Sequence, residues 1–216
     1  MTHHAFDARA LDPRQLALIF QGSVSPRPIA WASTISAAGM RNLAPFSYFN
    51  AINTNPPLIM FSVGVYRDGR SKDTLNNLRE VPEVVVHIAS ADQIGVVEVT
   101  GTEYAPEVDE FAEGRLTAIP AETVRPFRVA EAPIAMECRV VELHPLPEGA
   151  KSTLVIARVE RFHIRADLLT PDGGINTLGL APLSRLSRKD YGILGRVEDG
   201  QHAADAFRRQ YAPDFD

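Results

Sequence analysis

Two stretches in the second half of the chain, Ile134 to Leu143 and Ser152 to Ile164, alternate apolar and polar residues, with Glu148-Gly149-Ala150 as the turn between them. Successive strand side chains point to opposite faces, so this pattern describes a long antiparallel hairpin with one face buried. Such a hairpin needs strand partners along both outer edges. The chain offers them as short segments: Ile29 to Ser36, closed by Ala37-Ala38-Gly39, with Asn42 to Asn50 as its return; Leu58 to Val63 after Pro56-Pro57; and Val84 to Ile88 between Pro82 and Ser90. Many short strands and few helices argue for a mainly β protein with a closed or partly closed antiparallel barrel, rather than an alternating βαβ sheet.

The helical signals are short. Asp12 is placed to cap a helix with Pro13 in its first turn and Gly22 as its end, and Ser71 to cap one that carries Leu75 and Leu78. Gln93 to Thr100 and Glu107 to Phe111 read as two more. From Glu198 onward the chain turns polar, with Ala203 to Tyr211 as a last helix and Pro213 as its stop. The expected organisation is one domain over residues 1–197 and a tail over 198–216.

The 27 acidic and 22 basic residues are mixed along the sequence and give no basic stripe for nucleic acid. No apolar run approaches the roughly 18 residues of a membrane span. Cys138 is the single cysteine, and the first residues lack the basic and apolar regions of a secretory signal, so a reducing cytoplasm is the expected compartment.

Two constellations carry candidate chemistry. Ser25-Pro26-Arg27-Pro28, Ser33-Thr34 and Asn42 to Ser47 bring a guanidinium and several hydroxyls onto adjacent strands, a donor set suited to phosphate. Lys72 and Thr74 sit at a helix start, where unpaired N–H groups favour an anion. The same residues also fit a plainer account, in which prolines end strands, Arg27 is a solvated charge and Ser71 only caps. Neither phosphate-loop nor dinucleotide glycine motifs are present.

Pro26-Arg27-Pro28-Ile29-Ala30-Trp31-Ala32-Ser33-Thr34, Gly39, Asn42-Leu43-Ala44-Pro45-Phe46-Ser47-Tyr48-Phe49-Asn50, Pro56-Pro57 and Lys72-Asp73-Thr74, in that order, resemble the flavin reductase-like, FMN-binding split-barrel family. The likeness runs from about residue 20 to 195, more weakly through Val84 to Ile88, the long hairpin and Arg185 to Tyr191. It implies a split β-barrel that forms a homodimer with FMN at the interface. It also implies that Arg27, Ser33, Thr34, Lys72 and Thr74 face the polar part of the cofactor, and that Asn42, Leu43, Ala44 and Ser47 face its ring. Arg185 and Tyr191 are added from the family-like C-terminal segment, and Trp31 is expected to pack in the barrel.

The implied activity is an FMN-dependent oxidoreductase that takes electrons from NAD(P)H and passes them to free flavin, oxygen or another acceptor, such as a separate monooxygenase. A tightly loaded electron carrier is the alternative. Glu148-Gly149-Ala150-Lys151-Ser152 stands where short flavin reductases often carry Gly-Asp-His, which points toward the flavoredoxin-type branch. His87 occupies a position where Asn is common, and its reach toward a flavin or substrate is weighed against an ordinary core histidine. His144 and His163 are expected at solvent or an interface, Cys138 as a small buried hydrophobe, and no metal site is implied.

Overall fold

The computed structural model describes residues 1–211. Helix α1 (Pro13–Ser23) opens on the Asp12 carboxylate, which accepts the N–H groups of Arg14 and Gln15 at 2.9 Å each. Strands β1 (Arg27–Pro28), β2 (Ala30–Ile35), β3 (Arg41–Phe46), β4 (Phe49–Asn53) and β5 (Leu58–Gly64) follow, then α2 (Asp73–Glu80) and β6 (Glu83–Ile88). After α3 (Ile94–Thr100) and α4 (Glu110–Glu113) come β7 (Ala118–Ile119) and β8 (Arg128–Val129). The long hairpin is β9 (Ile134–Pro145) and β10 (Ser152–Ile164), followed by α5 (Thr177–Leu180), β11 (Leu183–Arg185), β12 (Tyr191–Ile193) and α6 (Gly200–Tyr211). Pro213, expected to stop the last helix, lies outside the described residues.

Seven strands form one antiparallel sheet in the order β3-β2-β6-β9-β10-β5-β4. Its two edge strands are joined only by Ser47 and Tyr48, so the sheet has to curl until the end of β3 meets the start of β4, and the Ser62 N–H donates to the Tyr48 carbonyl at 2.9 Å, extending the pairing of β4 with β5. The alternation in β5 then has its physical reading: Ile59, Phe61 and Val63 point into the barrel with Val155, Ala157 and Val159 of β10. Ala30 and Ala32 of β2 leave room for the Phe46–Phe61 ring pair, 5.5 Å between centroids, while Leu75 and Leu78 bring α2 onto the same core.

The other face of β2 is covered as well, which is why every residue of that strand is buried. Trp31 belongs to this outer cluster with Leu43, Val97, Phe111 and Leu183, and its indole N–H donates to Thr100 Oγ1 at 2.9 Å. It therefore packs outside the barrel and not within it, because its position on β2 alternates with Ala30 and Ala32.

Several boundaries differ from the sequence expectation. The return strand divides into β3 and β4, because the chain changes partner from β2 to β5 at the seam. Lys72, not Ser71, is the N-cap of α2, and no side chain caps it. Gly22 remains helical in α1, which runs on to Ser23. The helix expected over 107–111 starts only at Glu110, where the Asp109 carboxylate accepts the Phe111 N–H at 3.0 Å. No helix among the described residues is long and apolar enough to cross a membrane.

Phe61→Ala removes a fully buried ring from the barrel and is expected to cost about 3–5 kcal/mol, read as a lower midpoint in urea denaturation.

Candidate functional site

Where β3 leaves β2, the chain lines a cleft of about 330 Å³ together with the start of α2, the end of α3, α4 and the β11–β12 turn. Ile29, Ala44, Pro45 and Val97 supply apolar wall, and Gly101 closes the end of α3 against β3. A Cβ on Gly101 would lie 3.1 Å from Pro45 Cγ and 3.3 Å from the Val97 carbonyl, so a larger residue would have to displace this wall.

The cations of the cleft are not equivalent. Arg27 is buried, and its guanidinium donates to the carbonyls of Gln21 (2.6 Å), Val24 (2.8 Å) and Leu186 (2.7 Å), which ties the end of α1 to the β11–β12 turn. Its Nε is buried without a partner. Arg185 is neutralised: it donates to Glu98 Oε1 at 2.6 Å, the Tyr191 hydroxyl donates to the same oxygen at 2.5 Å, and the guanidinium lies 4.5 Å from the Tyr191 ring centre. These bonds hold Glu98 below the ordinary carboxylate range, the Tyr191 bond most of all, while burial and Glu98 push the Tyr191 phenol up to about 12. Lys72 has aromatic neighbours instead of a carboxylate, its Nζ lying 6.0 Å from the Phe46 ring and 5.6 Å from that of Tyr66.

Asn42 ties β3 to α2 at the cleft floor. Its amide donates to Thr74 Oγ1 at 3.0 Å and to Thr34 Oγ1 at 3.1 Å, and Asn77 donates to the latter hydroxyl at 3.1 Å. Beside Asn42 lies Glu110, 7% exposed, whose Oε2 accepts the Leu43 N–H at 3.1 Å. Burial raises this carboxyl to about 7, helped by the nearby charges of Asp73 and Asp109.

The structure brings Arg27, Asn42, Ala44, Ser47, Lys72, Thr74, Arg185 and Tyr191 to one cleft. It does not bring Ser33, Thr34, Leu43 or His87 there. Ser33 is fully buried, Thr34 is held by the two amides, and the Leu43 side chain is in the outer core. His87 is fully buried between β2 and β8: its Nδ1 lies 2.9 Å from the Trp31 carbonyl, and its Nε2 accepts the Val129 N–H at 2.9 Å. The carbonyl needs a donor and the N–H an acceptor, so the ring is the neutral Nδ1–H tautomer, and burial lowers it to about 4. Its task is to hold β8 to the sheet.

His163 also departs from expectation, because its Nε2 lies 2.7 Å from the fully buried Glu137. Burial opposes the Glu137 charge, but hydrogen bonds from the Thr123 hydroxyl, from the N–H groups of Glu122 and Thr123 and from His163 outweigh it and hold the carboxyl at about 2. This network lies away from the cleft. Glu98 and Glu110 are among the cleft residues that sequence reasoning missed. Both sit in segments read only as short helices, where a lone glutamate looks like any solvated one, and no spacing signals that Glu110 is buried or that Glu98 meets Arg185 and Tyr191.

A split barrel with a polar, cation-bearing cleft at its seam defines the class, and comparison supplies the family. The model of the flavin reductase like domain matches residues 22–180, and the chain belongs to that family. It is 41% identical over 181 residues to an uncharacterized protein of Halalkalibacterium halodurans, covering 82% of this chain and 85% of the relative. Among solved structures, nitrilotriacetate monooxygenase component B from Bacillus cereus is similar with a TM-score of 0.87 and 33% identity, over 92% of this chain and 99% of that one. The 2-nitrobenzoate 2-nitroreductase of Pseudomonas fluorescens matches with a TM-score of 0.79 and 26% identity, over 91% and 94%. Flavoredoxin of Desulfovibrio vulgaris has the same fold, with a TM-score of 0.73 at 18% identity over 84% and 94%.

His87→Ala leaves the buried Val129 N–H without its acceptor and empties a fully buried site, so a loss of about 2–3 kcal/mol is expected in chemical denaturation. For Glu110, the unfolded chain releases its proton near pH 4.5 and the folded chain near pH 7. The folded state binds more protons between those values, so this group makes stability fall as pH rises from about 4.5 to 7 and adds no further slope above. Glu110→Gln is expected to remove that decline. The difference between wild-type and variant melting curves, taken pH by pH, isolates it from other titrating groups.

Proposed function

We propose that the cleft holds FMN and that the protein is a flavin reductase-like oxidoreductase, taking electrons from NAD(P)H and delivering them through FMN to free flavin, oxygen or another acceptor. The observation that carries this reading is the cleft itself: a buried Arg27 Nε without a partner and Lys72 at the start of α2 stand beside apolar walls, in a member of the flavin reductase-like family. That donor set fits a phosphate joined to a flat, partly apolar ring. Lys72, Arg27 and the first turn of α2 take the phosphate side. Asn42, Ala44 and Ser47 line the ring side, and Arg185 and Tyr191 form the opposite wall with Glu98. When bound, flavin supplies the hydride chemistry, and the residues orient it and exclude water.

The identity to a monooxygenase component B supports a separate monooxygenase as the consumer of the electrons. A homodimer is part of the same reading. Helix α1 buries none of its residues and exposes Leu16 and Phe20, while β4 is an exposed edge carrying Ile52, so apolar surface beside the cleft awaits a cover. Residues 1–197 would form the cofactor-binding domain and α6 an appendage, and the lone, buried Cys138 suits a reducing cytoplasm.

The test is the visible spectrum of the purified protein and identification of any chromophore released on denaturation, followed by FMN titration of the apoprotein. FMN binding is expected, weakened about tenfold or more by Lys72→Ala, equivalent to roughly 1.4 kcal/mol. Colourless protein that fails to bind FMN overturns the reading. Continuous NAD(P)H oxidation with added flavin marks the reductase, whereas a single stoichiometric reduction without turnover marks an electron carrier. Light scattering of the FMN-bound protein tests the dimer.

A further inference from the structure

A second cavity of about 190 Å³ lies behind the cleft, lined by Ser36, Arg41, Asn42, Asp73, Asn77 and Glu110 among others. Asn42 and Glu110 line both spaces, so the Glu110 carboxyl forms part of the partition between them. The carboxyl is met by backbone N–H groups, those of Leu43 and of Glu110 itself, and pairs with no cation among the described residues. Arg41 of β3, the nearest arginine in sequence to Leu43, is taken by Asp109. Asp73 of α2 accepts from the Tyr66 hydroxyl at 2.6 Å, and Glu98 of α3 is taken by Arg185 and Tyr191. Lys72 and Glu103 are the remaining charged groups on the cleft wall near α2 and α3, together with Arg188 on the turn.

We propose that Glu110 takes up a proton when the cleft binds its anionic ligand, so that occupancy of the cleft by FMN is coupled to pH through this one carboxyl. The inference rests on the FMN reading above. A ligand that fills the cleft strips Glu110 of remaining water and brings a phosphate of about −1.5 to −2 charge into the same space. Both effects disfavour the carboxylate. The free protein is poised for the exchange, since its Glu110 titrates at about 7 and borders the second cavity as well as the cleft. The sign follows from linkage: if binding raises the carboxyl's affinity for protons, affinity for the ligand is highest when Glu110 is protonated and falls as pH rises through its free-state value.

The experiment is isothermal titration of the full-length apoprotein with FMN at about pH 7.5, where the ligand phosphate, with its second ionisation near 6, is already largely a dianion. Measured in two buffers of different ionisation enthalpy, the heat reports protons taken up. Wild type is expected to take up roughly half a proton per FMN, the value for a one-unit displacement, and to lose about tenfold in affinity between acid and alkaline pH. Glu110→Gln, which keeps an acceptor for the Leu43 N–H, is expected to take up none and to show only the ligand's own pH dependence. Zero uptake or proton release by wild type overturns the proposal while leaving FMN binding intact, and needs no variant. Equal uptake by Glu110→Gln assigns the proton to another group and overturns it as well. Failure of wild type to bind FMN at any pH overturns both readings.

Discussion

Ser47 and Tyr48 are all that separates the two edge strands of the seven-stranded sheet, and this short link is the constraint on which the structure depends. Strands that far apart in sheet order meet only if the sheet curls, and a curled sheet has a narrow lumen that accepts a limited volume. Ala30 and Ala32 on β2 face the large rings of Phe46 and Phe61 for that reason, and α2 contributes Leu75 and Leu78 to the same core. Small against large is how such a space fills to interior density without strain.

The seam also makes the cleft. At Phe46 the chain stops pairing with β2, and by Phe49 it pairs with β5, so the segment from Asn42 to Ser47 is held by β2 at one end and released at the other. Asn42 fixes this segment to α2 through Thr74, and Arg27 of β1 fixes the end of α1 to the β11–β12 turn by three carbonyl bonds. Cleft walls drawn from many separate parts of the chain are thus tied by a few buried polar side chains. These bonds consume much of the hydrogen-bonding capacity that the sequence suggests is free for a ligand.

Charge in the cleft divides the same way. Arg185 is paired with Glu98, whereas Lys72 faces rings and Glu110 meets only backbone N–H groups. Low-dielectric surroundings make such incompletely matched groups responsive to whatever enters, because the arriving ligand supplies or removes the compensation that the protein withholds. The buried Glu137, with its donors from Thr123, Glu122 and His163, shows the contrasting case: a carboxylate so well satisfied that it is structural.

By itself the sequence determined the mainly β class, the long hairpin, the capped first helix and eight of the residues that gather at the cleft. Each of these is written in local periodicity, in proline and glycine punctuation, or in contiguous family-like motifs. Only tertiary structure decided that the return strand splits between two partners, that Trp31 packs outside the barrel, and that Ser33, Thr34, Leu43 and His87 do not line the cleft. It alone placed Glu98 and Glu110 inside. Alternation along a strand says that neighbours point to opposite faces but not which face is lumen, outer core or cleft. A glutamate's burial depends on elements distant in the chain, α4 against β3 and α3, and those contacts leave no local trace.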